Sequence, residues 1–114
     1  MKRFVLCIFL LLNLTNAFAD DELEYKPTTD YAIQCTANLL FAEIYHNEFD
    51  DSFLTERNIK MNRRAGAFFL SFVPSEREHE IERLMDNGVK RAENGTIDLN
   101  GLKSFNRKCR LEAM

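Results

Sequence analysis

Two short stretches carry residue types that bind metal ions. Glu43-x-x-His46 lies in "FAEIYHNE" and Glu76-x-x-His79 in "SEREHE". Residues three apart share a helix face, so each pair can offer a carboxylate and an imidazole to one ion. Two copies of such a motif, with bridging carboxylates, hold the metals of carboxylate-bridged di-metal bundles. Glu43, His46, Glu76 and His79 are therefore the metal-ligand candidates, and their use depends on the elements that position them.

Other chemistry is sparse. The chain has two histidines to activate Ser52, Ser71, Ser75 or Ser104, and no Gly-x-Ser-x-Gly elbow. Its four glycines, Gly66, Gly88, Gly95 and Gly101, form no phosphate-binding loop. The neighbouring carboxylates Asp50 and Asp51 fall where a helix start would use them as caps. Asn94-Gly95-Thr96 matches a glycosylation sequon, meaningful only in a eukaryotic secretory pathway, and otherwise reads as a turn. The expectation is a protein that is not an enzyme and needs no cofactor.

The elements read as helices. After an acidic tail over 20–28, Thr28-Thr29 offers an N-cap and Asp30 a negative charge for the first turn. Ala32, Cys35, Leu39, Ala42, His46 and Phe49 then recur at spacings of three and four. Ile33, Leu40, Phe41 and Ile44 widen that face, which predicts a central helix with partners on more than one side. Asp50, Asp51 or Ser52 can cap a second helix, with Leu54, Met61, Ala65, Phe68 and Phe72 inward and Asn58 on the intervening turn. Its apolar second half, "AGAFFLSFV", is expected to be buried all round, a β-strand being the alternative for so short a run. Ser75, with Glu78 three residues on, has the capping-box pattern for a third helix, whose inward face is Ile81, Leu84 or Met85, Gly88 and Ala92. Gly95 stops it, and a fourth helix begins near Thr96 or Asp98 with Leu99, Leu102, Phe105 and Cys109 inward.

Four helices with short connections predict a small, all-α, antiparallel four-helix bundle, forming one domain over 29–114. In that topology His46 ends the first helix and His79 begins the third, which runs the same way. Their heights differ by roughly 15 to 20 Å at the helical rise per residue, too far for one bridged metal pair. The metal reading is disfavoured on that ground.

The compartment has its own signal. Lys2 and Arg3, an apolar run from Phe4 to Leu14, and Ala17-Phe18-Ala19 before Asp20 make the three-part layout of a secretory signal peptide over 1–19. The run is short against the roughly 20 residues that span a bilayer. Cleavage would remove Cys7 and leave Cys35 and Cys109, which in an oxidising compartment are expected to form one disulfide closing the bundle. It would also shift the net charge of −3 two units further negative. An acidic protein does not suit general nucleic-acid binding, which needs cations against phosphate.

Two basic sets are the partner-binding candidates: Arg57, Lys60, Arg63 and Arg64 on the second helix, and Lys103, Arg107, Lys108 and Arg110 on the fourth. Either can meet an acidic protein or, less favoured, an anionic membrane. The resulting expectation is an exported helical protein, periplasmic or secreted, that acts by binding another protein as an inhibitor, immunity factor or envelope accessory. A metal-binding protein using the Glu-x-x-His pairs and a membrane-active amphipathic protein are the alternatives.

Overall fold

The computed structural model describes residues 25–114. The expected leader and residues 20–24 of the acidic tail lie outside the described residues. Four α-helices follow in order: α1 Thr29–Glu48, α2 Glu56–Leu70, α3 Glu78–Asn94 and α4 Leu99–Glu112, with a 3-10 turn Ser75–Arg77 ahead of α3. No strand occurs among the described residues, so the apolar second half of α2 is helix through Leu70.

The helix ends show which local signals operate. Thr28 caps α1, its hydroxyl accepting from Tyr31 N–H at 3.2 Å. Asp98 caps α4 by accepting from Gly101 N–H at 3.0 Å. Gly95, at φ 75°, ends α3 in the left-handed conformation that costs glycine little, and Thr96 N–H returns to Arg91 C=O at 2.9 Å. Two expected caps are corrected. α2 is capped by Thr55, which accepts from Asn58 N–H at 3.1 Å, and not by Asp50, Asp51 or Ser52. Asp50 instead folds onto Ser52, accepting from its N–H at 3.0 Å and its hydroxyl at 2.7 Å, which closes the turn several residues before α2 begins. Ser75 forms no capping box, because the chain leaves extended Pro74 through a 3-10 turn, Arg77 N–H reaching Pro74 C=O, and enters α3 only at Glu78.

Cross-helix contacts fix the topology as an antiparallel bundle. Glu43 of α1 meets Arg63 of α2. Asp30 at the start of α1 meets Arg77 at the entry to α3, and Gly88 further along α3 lies against Phe41, so α3 runs parallel to α1. α4 returns antiparallel, with Asn106 beside Asn38, Cys109 beside Cys35 and Glu112 beside Tyr31. α1 packs on all three partners, as its broad apolar surface predicts. Cys35 and Cys109 are bonded, their Cα atoms 5.6 Å apart across 74 residues of sequence.

The buried faces differ from the periodicity in three places. In α2 the buried residues are Asn62, Ala65, Gly66 and Phe69, while Phe68 and Phe72 flank the core, Met61 is half-buried and Leu54 precedes the helix. The face is thus turned toward the small pair Ala65-Gly66, where α1 brings Leu40 within 3.6 Å of where a Gly66 side chain would begin. In α3 only Ile81 is fully buried, and Leu84 remains 37% exposed. In α4 Asn106 and Cys109 are buried, whereas Leu99 is as exposed as Leu84. Burial all round the end of α2 is also only partial, since Ala67, Phe68, Leu70 and Phe72 keep some exposure.

Candidate functional site

The first Glu-x-x-His pair is held by other partners, and the second is exposed. Glu43 receives a forked pair of bonds from Arg63, Nη2 at 2.6 Å and Nε at 3.0 Å. That guanidinium holds the Glu43 carboxyl below its usual range, against the opposing effect of burial. His46 Nδ1 accepts from the backbone N–H of Leu54 at 3.0 Å, pinning the loop that leads to α2. Glu76 and His79 are exposed at the opposite end of the bundle, near the Asp30–Arg77 contact. Among the described residues no three His, Cys, Asp or Glu side chains group closely enough to hold a metal ion.

The basic sets divide by what each side chain touches. Arg63 is tied to Glu43, whereas Arg57, Lys60 and Arg64 are exposed and make no ion pair among the described residues. Their spacing of three and four places all three on one face of α2. On α4, Lys103 lies 5.5 Å from the centre of the Phe53 ring and Lys108 5.7 Å from that of Tyr31. Arg110 turns inward, donating to Asn106 Oδ1 and, at 3.3 Å, to Asn62 Oδ1. Burial, with a smaller contribution from Arg107, pushes the Arg110 pKa down. Arg107 alone of the α4 set is exposed without a ring or charge partner among the described residues. The two sets meet through Arg110 and Asn62 but do not form one cationic face.

No family model, curated protein or solved structure matches this chain. Its own geometry therefore carries the functional reading.

Two features escape the sequence. A polar chain crosses the core: Asn38 accepts from Asn106 Nδ2 at 3.0 Å, and Asn106 in turn accepts from Arg110, which also reaches Asn62. Asn62 and Asn106 are almost wholly buried, and the Nδ2 group of Asn62 has no hydrogen-bond partner among the described residues. The available signal was positional, since Asn62 and Asn106 each lie three residues before a buried Ala65 or Cys109. The second feature is a groove of about 420 Å³ between α1, α3 and α4. Phe41, Leu84, Ile97, Leu102 and Phe105 supply its apolar wall, and Gln34, Asn87, Arg91 and Asp98 its polar positions. Along it Gly88 passes close to the Phe41 ring, and Leu84 stays outside the core.

Proposed function

We propose that this is an exported helical protein without catalytic activity that binds an acidic surface on another protein through α2. The observation that carries the reading is the stripe Arg57, Lys60 and Arg64: three exposed cations on one helical face with no ion pair among the described residues. Arg63 and Arg110 are engaged within the fold and Lys103 and Lys108 lie over rings, whereas the stripe sets three unpaired cations on one helical face. Such a face speeds encounter with an anionic partner and makes binding salt-dependent. The leader-like N-terminus and the single disulfide support export, in which a small domain gains from a covalent clamp. The engagement of Glu43 by Arg63 and of His46 by Leu54 speaks for a structural use of the first metal-like pair.

The test is a photo-cross-linker placed at the exposed Asn47, outside the stripe, used in the native exported fraction. The expected result is one cross-linked protein that disappears at high salt and with the combined Arg57→Glu, Lys60→Glu and Arg64→Glu variant, whose helical circular dichroism is unchanged. Recovery of the same species with the reversed stripe would overturn the proposal.

A further inference from the structure

The groove between α1, α3 and α4 contains no residue of α2, so it is separate from the cationic stripe. Its volume of about 420 Å³ falls among small-ligand sites, which run from roughly 300 to 1,000 Å³. The floor is Ala37 and Phe41 of α1, both buried, and Leu102 and Phe105 of α4 form one side. Leu84 supplies the facing wall from α3 and is already 37% exposed without a ligand. These aliphatic and ring carbons suit a flexible hydrocarbon chain.

The polar positions give the groove a direction. Arg91, in the last turn of α3, is the only cation among its lining residues and makes no ion pair among the described residues. Asn87, one turn earlier on α3, supplies a neutral carboxamide. The opposing charge, Asp98, is engaged differently: its Oδ1 accepts from Gly101 N–H, and it sits at the positive end of the α4 dipole. An anionic group is therefore favoured at Arg91, the lining cation, because Asp98 is already held by Gly101 N–H. We propose that the groove binds a medium-chain aliphatic carboxylate, a free fatty acid, with its chain along Phe41 and Leu102 and its carboxylate at Arg91.

Titration of the protein with hexanoate, octanoate and decanoate, below their micelle concentrations, tests this by calorimetry and amide chemical shifts. The expected result is saturable one-to-one binding that tightens by about fourfold per added methylene, the value of burying one CH₂. Shifts should centre on Gly88 and Gly101 and leave the Arg57 to Arg64 stripe unmoved. Arg91→Glu should weaken decanoate by about tenfold and leave decanol unaffected, while Leu84→Asn, at an exposed position that keeps the fold, should weaken both. Circular dichroism and melting of both variants confirm that they are folded. Absence of saturable binding, equal affinity for decyltrimethylammonium, or indifference to Arg91→Glu would overturn the proposal. Two results would reassign the groove: binding of an acidic leucine-rich helical peptide with decanoate inert, or dimerisation that closes it. The α2 cross-linking result stands or falls independently of all of these.

Discussion

Glu43 shows how one residue's type misleads until its neighbour is known. Its spacing from His46 fits a metal ligand, yet its carboxylate is taken by Arg63 from the next helix. That pairing has a pH signature. Because the Glu43 pKa is lowered in the fold, its stabilisation is complete above the ordinary glutamate value and is lost as pH falls through the lowered one. Urea midpoints measured from pH 7 down to pH 3 should fall, and Glu43→Gln should flatten part of that fall. Asp50 and Glu80, held low by hydrogen bonds from Ser52 and Arg77 respectively, contribute to the rest. An unchanged acid limb in Glu43→Gln would show that the Arg63 fork contributes nothing in solution. The asparagines teach the converse lesson. Asn62 and Asn106 were illegible as core residues because apolar periodicity counts them as surface, whereas the fold buries them beside Arg110. A buried amide is stable there only because a partner supplies hydrogen bonds, and that partner lies 48 residues away from Asn62.

At the scale of helices, two glycines in similar settings have opposite roles. A methyl group at Gly66 would rest 3.6 Å from Leu40, an ordinary contact, so Gly66→Ala should stabilise by about 0.5 to 1 kcal/mol through helix propensity. A methyl at Gly88 would lie 2.9 Å from the Phe41 ring, so Gly88→Ala should push α3 away from α1 and destabilise by about 1 to 3 kcal/mol, less that same propensity gain. Thermal and urea unfolding of the two variants should move in opposite directions. The sequence made Gly88 legible as part of an inward face, along with the central position of α1, the glycine stop at Gly95 and the caps at Thr28 and Asp98. These depend on residues near in sequence or on a single broad face. The rotation of α2 and the 3-10 entry to α3 did not announce themselves, because each is decided by what arrives from elsewhere. α1 selects the small Ala65-Gly66 pair for its approach, and Pro74 sets the angle at which the chain reaches α3.

For the whole molecule, the pairing of Cys35 with Cys109 was legible because the antiparallel order brings the start of the first helix and the end of the last to one pole. Closing a loop of 74 residues stabilises by about 4 to 5 kcal/mol in the chain-entropy model. Domains of this size have about 5 to 15 kcal/mol in all. Replacing both cysteines with alanine should therefore lower the urea midpoint steeply and leave a domain near the edge of folding, measured by circular dichroism against the oxidised protein. Tyr31, hydrogen-bonded to Glu112 and set edge-on against Phe69 and Phe105, reinforces the same pole. The opposite end, where Tyr45, Phe49 and Phe53 stack around the α1–α2 loop, has only non-covalent contacts.

The bridge also sets a mechanical limit. Tension applied to the segments flanking Cys35 and Cys109 passes directly from one sulfur to the other, so the helical backbone between them is not in the line of force. Stretched in a single-molecule trap, the oxidised chain should withhold the contour of those 74 residues, roughly 3.5 Å each, and release it only after reduction.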